Sequence, residues 1–163
     1  MEKFDLLTLG EVLLRLSPKE NKRIVRSMEF ESHVGGAELN VASGVSLLGL
    51  HTGIISKLPA NAIGELARSK VRSMNVSDDY LVWDHTEDAR LGSYFYESAT
   101  FPRKPQVVYD RKHSSITRIS IDEFPEEMYT STRCFHVSGL TLALCPEART
   151  CAVEMIKRFK QAG

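Results

Sequence analysis

Two tyrosines and an arginine carry the clearest chemical signal in this chain: Gly92-Ser93-Tyr94-Phe95 is followed by Val108-Tyr109-Asp110-Arg111. An arginine presents a planar fork suited to a carboxylate. Phenolic hydroxyls can orient ligand hydroxyls while their rings pack on carbon faces. Taken alone, Tyr94 also reads as ordinary strand packing and Arg111 as a surface charge. A second cluster, Val34-Gly35-Gly36-Ala37-Glu38-Leu39-Asn40-Val41-Ala42, sets a glycine pair ahead of a helix that carries Asn40 in its first turn. Gly35 and Gly36 allow a tight turn and close approach to a ligand. The free N–H groups of a helix start favour a polar or anionic partner. An ordinary turn before a helix is the competing reading.

Other chemistries find no support. The sequence contains no GxxxxGK[ST], no GxGxxG and no Gly-x-Gly-Asp. His33, His51, His85 and His113 are scattered, with no HExxH and no cysteine–histidine spacing, so no metal site is expected. His136 sits on an apolar strand and reads as a core or near-site residue rather than a base. Ser138 lacks the GxSxG elbow of a serine hydrolase. Cys134, Cys145 and Cys151 form no CxxC pair and read as reduced, partly buried thiols.

Positioning these residues requires strands and crossover helices. Leu6–Leu9 reads as a short buried strand closing on Gly10-Glu11, and Val12–Leu16 as a second extended piece. Ser27–Val34 alternates apolar and polar positions as a half-exposed strand. Ala37–Leu48 is expected to be a helix with Val41, Val45 and Leu48 on its apolar stripe and Gly49 as its stop. Thr52–Ser56 is a strand, and Ile63–Met74 a helix whose turns are marked by Leu66, Lys70 and Met74. Arg90–Glu97 and Gln106–Asp110 suggest a hairpin, with Pro102 and Pro105 outside the paired positions. Arg133–Ser138 returns to a strand, Gly139 opens a loop, and Pro146 begins a helix. That helix carries Ala148, Cys151, Ala152, Met155, Ile156 and Phe159 on one face. Alternating strands and helices predict a parallel sheet.

The chain has 163 residues and a formal net charge of zero, which suits one domain with one sizeable core. Balanced charge gives no reason to expect nucleic acid or an anionic membrane as partner. Apolar runs are far shorter than a membrane span, and Met1–Asp5 shows no basic-then-apolar pattern. A cytoplasmic protein is the expectation.

The glycine pair with Asn40, the Lys57-Leu58-Pro59-Ala60-Asn61-Ala62-Ile63-Gly64 segment and the Gly-x-Tyr and Tyr-x-Arg clusters together resemble the N-terminal half of the PfkB (ribokinase-like) sugar kinases. Within them the closest likeness is to the 2-keto-3-deoxygluconate kinase branch. Phe135-His136-Val137-Ser138-Gly139-Leu140 and Pro146-Glu147-Ala148-Arg149 fit the same pattern. Glu38 stands where many members carry a small residue. Ala60 and Ala62 replace an Asp and a Pro of that branch.

The resemblance implies a ribokinase-like three-layer α/β/α parallel sheet, incomplete at its C-terminal side. A small β-sheet lid is implied at about residues 12–34 and 91–117, with residues 1–163 forming the N-terminal part of the domain. It implies a sugar-acid site made by Gly35, Gly36, Asn40, Tyr94, Tyr109 and Arg111. ATP and Mg2+ would serve the full-length parent and bind elsewhere. No catalytic base, nucleotide-binding or metal-binding residue is expected within this chain, so it is expected to be inactive alone. A homo-oligomer formed through the lid or the sheet edge is also implied. Another PfkB sugar substrate, such as a furanose or other keto-sugar, and a non-catalytic sugar-binding or oligomerising remnant are the alternatives.

Overall fold

The structure, a computed structural model, describes residues 3–163. Its main sheet contains β1 (Leu6–Leu9), β4 (Thr52–Pro59), β5 (Val76–Asp84) and β8 (Phe135–Val137), in the order β5-β4-β1-β8. All neighbours in it run parallel. A second sheet holds β2 (Leu13–Pro18), β3 (Phe30–Gly35), β6 (Gly92–Glu97) and β7 (Gln106–Asp110), in the order β3-β2-β6-β7. Among the described residues are four α-helices, α1 (Ala37–Leu47), α2 (Ala62–Ser73), α3 (Gly139–Leu142) and α4 (Pro146–Ala162), and five short 3-10 helices. This is the α/β ribokinase-like arrangement, with a small additional sheet.

Each face of the main sheet has its own core. Leu7, Leu9 and Ile55 pack with Met128 and with the α4 residues Ala152, Met155 and Phe159. On the other face Ile54 and Leu58 meet Leu39 and Ala42 of α1 and Ala67 and Val71 of α2. Successive β-strand side chains point to opposite faces, so Ile54 and Ile55 serve different cores. Both are fully buried, as a sheet covered by helices on both sides requires.

Local chemistry explains the boundaries. Asn61 caps α2, its Oδ1 accepting from the N–H groups of Ile63 at 3.0 Å and Gly64 at 3.1 Å. Gly49 closes the turn after α1 at φ +88°, and Pro146 occupies the first turn of α4. The hairpin forms as expected, Glu97 pairing with Gln106 so that both prolines lie outside the ladder.

Several expectations are corrected. The buried face of α1 is Glu38, Leu39, Ala42 and Ser46, whereas Val41 and Leu48 are exposed. Small residues at 42 and 46 let the helix lie close to β1 and β4, and Ser46 Oγ donates to the Asn75 carbonyl at 2.9 Å. Close approach therefore selects the face over apolar content. On α2 the buried residues are Gly64, Ala67 and Val71, and Leu66 is exposed. Strand β3 begins at Phe30, and Met28 lies outside it, exposed. Gly139 opens the short helix α3 rather than a loop, because Ser138 caps it by accepting from Leu140 N–H at 3.1 Å. Cys134 is exposed, not partly buried. Strand β5 was not anticipated.

Candidate functional site

Strand β1 ends at Leu9, and the chain crosses from the main sheet to the second through Gly10-Glu11-Val12. Ligands of parallel α/β sheets collect outside the carboxyl ends of the strands, and the crossing lies at such an end. In the second sheet, Gly35, Leu13 and Gly92 form one rung, and Tyr94 pairs directly with Tyr109 two residues along. The two sequence clusters, nearly sixty residues apart, are therefore neighbours in space.

Gly36 precedes α1 in an extended conformation that any residue can adopt. Its need for glycine is steric: a Cβ there would overlap the carbonyl oxygen of Glu11. Gly35 is under no such pressure, its nearest neighbour being Asn40 Oδ1 at 3.6 Å. Asn40 is exposed on the first turn of α1, and that helix has no side-chain cap. Its first N–H groups remain for solvent or a ligand.

The Tyr94 and Tyr109 rings lie 5.7 Å apart at a tilt of 39°. The Arg111 guanidinium sits 5.8 Å from the Tyr109 ring centroid, within cation–π range. Tyr109 is 62% exposed. Arg111 also lines an open cavity of about 810 Å³, with Lys112, His113, Thr117, Leu140 and Cys145 on its walls.

Two buried carboxylates organise this region. Glu11 is 5% exposed and is ion-paired with Arg111 through Nη2, while its other oxygen accepts from Ser114 Oγ at 2.6 Å. Burial pushes the Glu11 carboxyl above its usual range against the lowering effect of Ser114 and Arg111, and the nearby Glu38 charge pushes the same way as burial. Glu38, 2% exposed, accepts three hydrogen bonds on one oxygen: from Ser138 N–H at 3.1 Å, Ser138 Oγ at 2.6 Å and Thr141 Oγ1 at 2.8 Å. It thereby ties α1 to the end of β8. Gly92 and Gly10 are small where these carboxylates need room, since a Cβ on either would overlap the Glu11 or Glu38 side chain.

A further network closes the end of β5. Asp84 accepts from Thr86 Oγ1 at 2.7 Å and from Arg118 at 3.0 Å, and Arg118 also pairs with Asp88. Burial opposes ionisation of Asp84, but these hydrogen bonds outweigh it and hold its pKa down at about 2. Lys57, at the end of β4, pairs with Glu123 at 2.7 Å.

Gly35, Gly36, Tyr94, Tyr109 and Arg111 are thus linked through the Glu11 crossing, with Asn40 on the adjoining helix turn. Glu11, Ser114, Ser138 and Thr141 escape the sequence reading. The available signal for Glu11 is an acid one glycine beyond a short buried strand. Among the described residues no group of three or more His, Cys, Asp or Glu could hold a metal ion. No helix among them is long and apolar enough to cross a membrane.

The sequence matches the family model described as pfkB family carbohydrate kinase over residues 3–163. It is 35% identical over 159 residues to the 2-dehydro-3-deoxygalactonokinase of Haloferax volcanii, covering 98% of this chain and 49% of that protein. It is 30% identical over 159 residues to a 5-dehydro-2-deoxygluconokinase of Listeria monocytogenes, covering 96% and 48%. Among solved structures, the 2-dehydro-3-deoxygluconokinase of Thermotoga maritima superposes with a TM-score of 0.89 at 36% identity, over 96% of this chain and 47% of that one. The chain spans about half the length of the curated relatives it matches.

Proposed function

The chain belongs to the pfkB family of carbohydrate kinases, and on that premise we propose that it supplies the sugar-acid subsite of an ATP-dependent kinase acting on 2-keto-3-deoxygluconate. The observation that carries this reading is the grouping of Tyr94, Tyr109 and Arg111 beside the Gly35–Gly36 turn. Arg111 provides a cation for the substrate carboxylate, and the two phenols provide hydroxyls for its keto and hydroxyl groups. Gly36 and Asn40 line the approach from α1. The names of the relatives support an acid, since each is a kinase for a dehydro-deoxy gluconate or galactonate.

Carbohydrate kinases of this family use ATP and Mg2+. In the proposed reading the base that activates the acceptor hydroxyl and the nucleotide site lie outside these residues, so the chain by itself does not turn over. What its own residues contribute is binding and orientation, which phosphoryl transfer depends on heavily.

A second reading, a neutral sugar, is favoured by one observation: Glu11 already balances the Arg111 charge inside the protein. Titration of the 163-residue chain with 2-keto-3-deoxygluconate, followed by NMR, separates the two. Losing one partner of a charge-assisted hydrogen bond costs roughly 1.5–3 kcal/mol, on the order of ten- to a hundredfold in affinity. Arg111→Ala is expected to weaken acid binding by that factor, and Arg111→Lys to restore only part of it, because an ammonium lacks the planar fork. Unchanged acid affinity in Arg111→Ala overturns the sugar-acid reading in favour of the neutral sugar.

A further inference from the structure

Arg111 is not a free arginine awaiting an anion. Its Nη2 is committed to Glu11 and its Nε is buried without a partner. Among the described residues Nη1 has no hydrogen-bond partner either, although the side chain is 25% exposed and lines the cavity. Only the Nη1 edge is therefore available to an incoming group. Glu11 itself cannot swing aside. One of its oxygens is held by Ser114 at 2.6 Å, the space left by Gly92 receives its carboxylate, and its backbone is pressed against Gly36. Arg111 and Ser114 belong to the same turn, Arg111–Ser114, so one buried carboxylate grips both ends of it.

From this geometry we infer that Glu11 is a positioning residue, which orients Arg111 so that its Nη1 edge receives the carboxylate of the ligand. The inference rests on the sugar-acid reading of the site. Glu11 touches no ligand in this arrangement and acts through the guanidinium. It also explains why a buried acid stands beside a carboxylate-binding arginine: a long, flexible side chain at the mouth of a cavity is fixed before the ligand arrives, which reduces the entropy lost on binding.

Protonation of Glu11 turns a charge-assisted bond to Arg111 into a weaker one. The charged and polar groups acting on Glu11 are Arg111 and Ser114 from the turn and Glu38 from α1, and Gly92 of β6 lies against its carboxylate. Lys112 and His113 complete the turn and face the cavity. Burial and the Glu38 charge make Glu11 easier to protonate. Acid affinity should consequently fall as the pH is lowered from neutrality toward the ordinary carboxylate range, with the fall beginning above that range because the Glu11 carboxyl is raised.

The test measures dissociation constants for 2-keto-3-deoxygluconate and for fructose, a neutral sugar, across this span of pH, in the wild-type chain and in Glu11→Gln, Glu11→Ala and Arg111→Ala. Glu11→Gln, near-isosteric and permanently uncharged, is expected to bind the acid about as the wild type does at its acid limit, with a flat Glu11-dependent profile. Glu11→Ala is expected to be about tenfold weaker than wild type at neutral pH, and fructose affinity should stay unchanged in both. Should Glu11→Ala fail to fold, the pH profile of Glu11→Gln decides. Wild-type affinity and pH dependence in Glu11→Gln, or equal losses for acid and neutral ligand, overturn the positioning role while leaving the Arg111 reading intact. Loss of the Arg111→Ala effect overturns that reading itself.

Discussion

At the scale of single residues, the site is built by pairs that exclude or require one another. Gly36 is small because Glu11 passes against it, and Gly35 is small with nothing pressing on it. The two glycines should accordingly respond differently to the same change. Gly36→Ala forces the α1 start away from the β1–β2 crossing, a misfit of the kind that costs about 1–3 kcal/mol. Gly35→Ala meets only Asn40 at ordinary contact distance and should fall within about 0.5 kcal/mol of wild type. Urea unfolding of both variants checks this, and equal destabilisation would remove the steric reason for the pair. Tyr94, Tyr109 and Arg111 were singled out through the Gly-x-Tyr and Tyr-x-Arg pattern of the family resemblance, and the β6–β7 pairing sets the two tyrosines side by side. Glu11 was not, since its partner lies a hundred residues away and nothing local distinguishes a buried acid from an exposed one.

At the scale of elements, what escaped the sequence reading has physical causes. Strand β5 opens Val76-Ser77-Asp78-Asp79, a polar run at odds with the apolar pattern of a buried parallel strand. Asp78 is tolerated because Arg68 and Arg72 of α2 pair with it at 2.5 and 3.1 Å. The same strand ends at Asp84, whose partners Thr86 and Arg118 fasten it to the turn Ser115–Arg118. With its pKa held down at about 2 against an ordinary 3.8, Asp84 contributes stability that is fully present above the ordinary value. That contribution is lost as the pH falls through the folded-state value. The difference corresponds to about 2 kcal/mol. Asp84→Asn should therefore be less stable than wild type by about that amount at neutral pH. The gap should close between about pH 4 and about pH 2, as the wild type loses the same interaction. Urea midpoints at several pH values test this, and a gap that stays constant into acid would mean that the carboxylate charge is not what holds the network. Helix α4 was legible in its buried face, but α1 and α2 only in extent: α1 turns Glu38, Ala42 and Ser46 inward, a choice made by close packing against the sheet that hydrophobic periodicity cannot express.

At the scale of the whole molecule, the two sheets differ in how firmly they are held. Strand β1 is paired on both sides and buried along its whole length, with a core on each face of its sheet. The second sheet is anchored at its base, where Val12, Val34 and Leu91 join the α1–α2 core. It ends in β7, which is exposed at every position and, among the described residues, paired only with β6. Local opening free energies run from near zero up to the global value, and they follow burial and pairing. Amides of β1 and β4 should exchange with solvent only through global unfolding. Those of β7 from Val107 to Tyr109 should exchange through local opening, at a free energy lower by about a few kcal/mol. Tyr109 rides on this exposed edge strand, whereas Arg111 beyond its end is already held by Glu11, so the proposed ligand must fix Tyr109 in place to bind. At about a hundred times its dissociation constant a ligand stabilises the bound form by about 2.7 kcal/mol. If 2-keto-3-deoxygluconate bridges Tyr94, Tyr109 and Arg111, that stabilisation should appear as slowed exchange in β6 and β7, and the Arg111→Ala variant should lose it. Protection confined to the main sheet, or β7 amides exchanging as slowly as those of β1 without ligand, would show that the second sheet is rigid and that recognition needs no closure of it.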